Sequence, residues 1–217
     1  MDLILLSLIC YLLGSLPFSY LIASLYGKNL YQIGSKNIGT ANVYRATGRP
    51  EATLLALVGD LGKGALAIYL AQHSGFTGPD FFWAQFLAAT FVIIGHNWPV
   101  FLGFRGGRGL ASLAGVLLAL NWKAILLALG IILLVIFLTE VVMKKSRPAP
   151  GAGKLKKIIA IIISQILGRV LGITLAVIVI YILYPDVFKI AFLATVISGL
   201  KHVKRTKDFL SGEKPAI

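Results

Sequence analysis

Apolar runs long enough to cross a bilayer recur along this 217-residue chain. A helix needs about 20 apolar residues to span the hydrocarbon core. Lipid offers backbone groups no partners, so each such run must satisfy its own N–H and C=O groups, as a helix does. Seven runs are expected to cross: about 3–26, 52–71, 81–95, 110–120, 124–143, 158–184 and 187–200. The fourth and seventh are short and need tilt, extension or shelter from neighbours. The first lacks a basic leading segment and a small-residue cleavage site, so it reads as a retained helix rather than a signal peptide. Composition agrees. AVILMFWYC residues make up 58% of the chain and charged residues 13%, against about 25% charged in a soluble domain. The expectation is an all-α polytopic membrane protein, one transmembrane domain over 1–217. A disordered chain and a disulfide scaffold are excluded. The single cysteine, Cys10, cannot form an intrachain disulfide, and no Cys/His spacing suggests a metal site.

Charge tests the count of seven. With seven crossings, the odd-numbered loops and the tail share one side. That side then holds 17 of the 21 Lys and Arg residues. Positive loops stay in the cytoplasm, which places the N-terminus outside and the C-terminus inside. Residues 144–157, with Arg147-Pro148-Ala149-Pro150-Gly151-Ala152-Gly153 between lysines, read as a flexible basic cytoplasmic loop, and 201–217 as a cytoplasmic tail. Proline and glycine preclude a regular helix there, and the lysines suit anionic lipid headgroups. The excess of 21 basic over 8 acidic residues points to topology, anionic lipid or an anionic substrate. Nucleic acid is not expected, because no basic soluble module with interleaved aromatics is present.

Two cytoplasmic loops carry glycine beside cations. The first reads Gly34-Ser35-Lys36-Asn37-Ile38-Gly39-Thr40-Ala41-Asn42-Val43-Tyr44-Arg45. Its glycines permit turns in which N–H groups converge on an anion, although the same composition also fits an ordinary turn. It is not a Walker A sequence. The second runs from Gly95-His96-Asn97-Trp98-Pro99 to Phe104-Arg105-Gly106-Gly107-Arg108-Gly109 and feeds a helix N-terminus. That geometry favours phosphate through unpaired N–H groups, the helix dipole and the forked guanidinium of Arg105 or Arg108. The other reading is an interfacial turn whose arginines meet lipid phosphates. His96 is placed for acid–base work or for donation to phosphate, and His202 lies on the same side. Asp60 and Lys63 share a face of the second span. Ionisable groups in a span need partners: either Asp60 is shared between Lys63 and Arg169, which lies at similar depth, or Lys63 snorkels locally and Arg169 faces a polar cavity. Together these features suit a substrate with a phosphate head and a hydrocarbon chain. No nucleotide motif or Ser-His-Asp signature competes, and no cofactor is expected.

The first loop, with Arg45, resembles the first motif of the bacterial integral-membrane glycerol-3-phosphate acyltransferases that use acyl phosphate (the PlsY family). Asp60-Leu61-Gly62-Lys63-Gly64 resembles that family's second helix, and Gly95-His96 through Arg105-Gly106-Gly107-Arg108-Gly109 its second motif. The resemblance covers about the first 115 residues. It implies seven helices in the bacterial inner membrane, and acyl transfer from acyl phosphate to the 1-hydroxyl of glycerol 3-phosphate, giving lysophosphatidic acid. It also implies Ser35, Arg45 and His96 as catalytic residues. Gly34, Asn37, Gly39, Thr40, Asn42, Lys63, Arg105, Gly106, Gly107, Arg108 and His202 would bind substrate, with backbone at Gly106 and Gly107 serving the acyl phosphate. The second half departs. Leu138-Thr139-Glu140-Val141 stands where the family's third motif carries a basic-aromatic segment and serines. Arg205 stands where the tail carries asparagine, and Arg108 replaces a lysine. Two other readings accompany the enzyme: a lipid-phosphate-binding paralogue with weakened catalysis, and a transporter of a phosphorylated metabolite. The transporter would carry inverted repeats, which are not evident.

Overall fold

The computed structural model describes residues 2–145, 171–172, 174–193 and 196–197. Their regular structure is helical, with no strand among the described residues. In order they are α1 (Leu3–Ser15), α2 (Phe18–Leu25), α3 (Thr40–Thr47), α4 (Pro50–His73), α5 (Gly78–Asn97), a 3-10 turn (Val100–Leu102) and α6 (Leu110–Lys145). The apolar helix α7 (Thr174–Leu183) and a helical stretch at 185–193 follow. Among the described residues, four segments are long and apolar enough to cross a membrane: Leu3–Leu25, Pro50–His73, Gly78–Leu102 and Leu110–Thr139. Most of the expected sixth span, Arg169, residues 146–157 and the tail with His202 lie outside the described residues. Lys144 and Lys145, expected in the basic loop, are the last residues of α6.

Two expected boundaries change. The first span is not one helix. Pro17 has no N–H to continue the ladder, and Leu16 turns extended at φ −63°, ψ 116°, so α1 stops and α2 restarts. The fourth and fifth runs fall in one helical stretch with a kink. Asn121 is extended there (φ −163°, ψ 95°), and its Oδ1 accepts the N–H of Ala124 at 3.0 Å. That is an N-cap, so the second part of α6 starts afresh.

The contacts divide into two compact units, residues up to Leu120 with those from Lys189 on, and Asn121–Phe188. In the first, α1 is N-capped by Asp2, whose carboxylate accepts from Leu5 N–H at 2.7 Å. Helix α4 buries the stripe Ala52, Ala56, Asp60, Lys63, Gly64, Ala67, Ile68 and Ala71, a spacing of three and four. Small residues let backbones touch. Gly14 of α1 lies on the Val92 carbonyl of α5, and Gly95 on that of Tyr11. Gly64 of α4 lies on the Ser112 carbonyl of α6, and Gly115 on that of Leu61. The core around these crossings includes Leu6, Cys10, Ile68, Val92, Ile93 and Val116. In the second unit, Gly172 sits against the backbone of Ile132, and the Tyr181 and Phe188 rings meet edge to face.

Candidate active site

The first glycine loop is built around one amide. Asn42, in the first turn of α3, is buried. Its Oδ1 accepts the Ser35 N–H at 2.9 Å. Its Nδ2 donates toward the carbonyls of Leu30 (3.2 Å), Ile33 (3.0 Å) and Asn37 (3.0 Å). Asn42, expected on substrate, therefore organises the loop that carries Ser35. Gly34 turns at φ 59°, and a Cβ there would strike the Asn42 side-chain oxygen. Lys36 also holds a left-handed φ of 53°, a conformation uncommon outside glycine. Gly39 caps α3, its carbonyl accepting the N–H groups of Asn42 and Val43. The stem of Arg45 lies along Gly34, and Arg45 itself is exposed, as is Lys36. Ser35, Asn37 and Thr40 are half-buried.

The second loop folds back on the end of α5. Gly106 N–H donates to the Asn97 carbonyl (3.2 Å) and Gly107 N–H to that of His96 (3.0 Å). These two amides, expected to serve an anion, are here engaged by carbonyls at the end of α5. Glycine is required here for another reason. A Cβ at Gly106 would strike the His96 carbonyl, and one at Gly107 would strike His96 Nε2 and the Ile38 carbonyl. The two loops thus meet at Gly107 and Ile38. A second tie joins them: Tyr31 Oη donates to the Arg105 carbonyl at 2.7 Å. Burial holds the Tyr31 phenol above its usual range, with Tyr20 adding to the rise and Arg105 opposing it, so it remains a donor at neutral pH. Tyr11 Oη anchors the same loop to α1 through the Trp98 carbonyl at 3.0 Å. Arg105 is exposed and Arg108 half-buried.

Beneath the junction lies a buried polar cluster. Asp60 receives Ser19 Oγ at 2.6 Å on one oxygen and Lys63 Nζ at 3.1 Å on the other. Lys63 Nζ also donates to the carbonyls of Gly14 and Leu16, both at 2.8 Å. These carbonyls belong to the break at Pro17, so the ammonium fills a place where the helix ladder stops. The Lys63 partnership with Asp60 is as expected, whereas Lys63 faces protein carbonyls rather than an open cleft. His96 Nδ1 lies 3.3 Å from Ser112 Oγ and 3.6 Å from Asp60 Oδ1. A small cavity, lined by Gly14, Pro17, Ile38, Lys63, His96 and Gly107 among others, joins the cluster to the loop junction. No group of three metal-ligating side chains occurs among the described residues.

Four residues of this arrangement carry no sequence signal of their own: Tyr11, Ser19, Tyr31 and Ser112. Pro17 inside an apolar run was the visible sign of the break that Lys63 fills.

Comparison with known proteins bears on these motifs. Residues 4–212 match the family model described as glycerol-3-phosphate acyltransferase. A glycerol-3-phosphate acyltransferase of Jannaschia sp. (strain CCS1) is 48% identical over 126 residues, 58% of this chain and 59% of that protein. One of Rubrobacter xylanophilus is 45% identical over 54% of this chain and 56% of its own. The chain thus matches a little over half the length of these two relatives. One of Wolbachia pipientis is 31% identical over 95% of this chain and 94% of its own. In fold, the chain is similar to a crystal structure of PlsY, an integral membrane glycerol 3-phosphate acyltransferase in its glycerol 3-phosphate form. The TM-score is 0.66 at 24% identity, over 99% of this chain and 95% of that one.

Proposed function

Because the chain belongs to the glycerol-3-phosphate acyltransferase family, we propose that it moves a fatty acyl group from acyl phosphate to the 1-hydroxyl of glycerol 3-phosphate. The products are lysophosphatidic acid and phosphate. The observation that carries this reading is the contact between two cation-bearing glycine loops, at Gly107 against Ile38 and at Tyr31 on Arg105. On this reading the cations of the two loops, Lys36, Arg45, Arg105 and Arg108, serve the two phosphoryl groups.

Acyl phosphate is a mixed anhydride, so its carbonyl is already activated. The hydroxyl oxygen of glycerol 3-phosphate attacks that carbonyl carbon, the bond to the phosphate oxygen breaks, and the departing phosphate takes the hydroxyl proton. Alignment and charge stabilisation are then the protein's main work. Arg45, with Ser35, Asn37 and Thr40 on the first loop, holds glycerol 3-phosphate. Arg105 and Arg108 hold the acyl phosphate, and His96 sits at the join. Asn42, Gly34, Gly39, Gly106 and Gly107 shape the loops, and Lys63 sets the helix beneath them. His202 is carried from the family resemblance as a further contact. The site faces the cytoplasm of the bacterial inner membrane, among anionic lipids, in a chain that crosses seven times. The basic residues of the odd-numbered loops and tail support that orientation.

The test is phosphate release by purified protein given palmitoyl phosphate and glycerol 3-phosphate, with lysophosphatidic acid identified by mass spectrometry. Turnover that Arg45→Ala abolishes is the expected result. Binding without turnover would instead favour the lipid-phosphate-binding paralogue.

A further inference from the structure

We propose that Asp60 and Ser112 are positioning residues for His96, fixing a proton on Nδ1 and so presenting Nε2 to the junction of the two loops. The argument is one of hydrogen-bond inventory. A serine hydroxyl has one hydrogen. That of Ser112 goes to the Asp60 backbone carbonyl at 2.9 Å, so its oxygen faces His96 with lone pairs. Also facing Nδ1 is the Asp60 carboxylate at 3.6 Å, which in its ionised form also only accepts. Lys63 and Ser19 both donate to that carboxylate, as they would to an acceptor. Two acceptors facing one ring nitrogen require a hydrogen there. Ser112 supplies the hydrogen-bond distance at 3.3 Å, and Asp60 acts through its charge. The opposite nitrogen, Nε2, is then the atom packed beside Gly107 and the Ile38 carbonyl, where both loops converge. A ring nitrogen's role is set by what its partner nitrogen bonds.

The cluster is more than a structural ion pair. Asp60–Lys63 is a pair within one helix, whereas Ser19, His96 and Ser112 reach it from α2, α5 and α6. It therefore ties the imidazole under the loops to the helices that carry those loops. The catalytic part of this inference rests on the acyl-transfer reading, while the tautomer itself does not.

Two measurements separate them. In bilayers, protein labelled with 15N-histidine is compared with His96→Gln, which assigns the His96 resonances. The expected spectrum has Nδ1 protonated, and Asp60→Asn or Ser112→Ala shifts those resonances. A His96 with Nδ1 unprotonated, or resonances unmoved by either variant, overturns the proposal. In the phosphate-release assay, Ser112→Ala and Asp60→Asn are expected to lower kcat about tenfold or more while KM for glycerol 3-phosphate moves less than about threefold, the pattern of a group acting in the transition state. Ser112→Ala keeps the measurement available if Asp60→Asn fails to fold. Equal kcat in folded variants overturns the positioning role. A wild type silent in the assay but with the expected spectrum sinks the acyl-transfer reading and leaves the Nδ1 assignment standing.

Discussion

Asn42 shows how a motif residue can sit beside a ligand site without facing into it. Its side chain meets one N–H and three carbonyls of its own loop. Asn42→Ala leaves buried backbone groups without partners, at about 1–3 kcal/mol each before water enters. Asn42→Asp keeps the acceptor for Ser35 but loses both amide hydrogens and sets a carboxylate against carbonyls. Both variants are expected to lose turnover to a similar degree, and the comparison to check is Asp against Ala in the phosphate-release assay. If substrate contact were its role, the two would differ in KM. At Gly107, alanine would strike His96 Nε2 and the Ile38 carbonyl. Gly107→Ala is expected to abolish turnover while circular dichroism still reports the wild-type helix content. The motif itself was legible in sequence, from glycine and asparagine at their spacing. That the amide closes on backbone several residues back, and that Gly106 and Gly107 donate to α5, depends on how the loop folds over. Spacing along the chain does not contain that.

At the scale of elements, Lys63 joins α4 to the broken first span. Its three hydrogens meet Asp60 and the carbonyls of Gly14 and Leu16. Lys63→Met removes the counter-ion of a buried carboxylate and uncovers two carbonyls. Breaking a buried pair from one side costs about 3–5 kcal/mol, so this variant is expected to melt well below wild type in a detergent thermal-shift assay. Gly64→Ala adds a methyl against the Ser112 carbonyl, and Gly115→Ala one against that of Leu61. Overpacking of this kind costs typically about 1–3 kcal/mol. The same assay should rank both variants below wild type. Asp60 and Lys63 were readable as partners from their spacing of three. Ser19 and Ser112 were not, since a serine in a span commonly bonds its own helix, as Ser15 does with Tyr11 and Ser7 with Leu3.

For the whole molecule, hydropathy made the long helices legible, because length and apolarity alone decide whether a helix crosses. It did not resolve the breaks at Pro17 and Asn121, where one residue's φ and ψ redirect an apolar run that a window averages over. The proposed topology makes a test of its own. In a variant free of Cys10, a cysteine at Lys123 is expected to react with a membrane-impermeant thiol reagent added outside intact cells. One at Lys154 is expected to react only after the membrane is opened; the reverse pattern would invert the orientation. A last consequence follows from the glycine crossings. At Gly14 on Val92, Gly95 on Tyr11, Gly64 on Ser112 and Gly115 on Leu61, helix backbones rest on one another. Seams closed so tightly admit no alkyl tail. On the acyl-transfer reading, a fatty donor would therefore keep its tail out of these four seams.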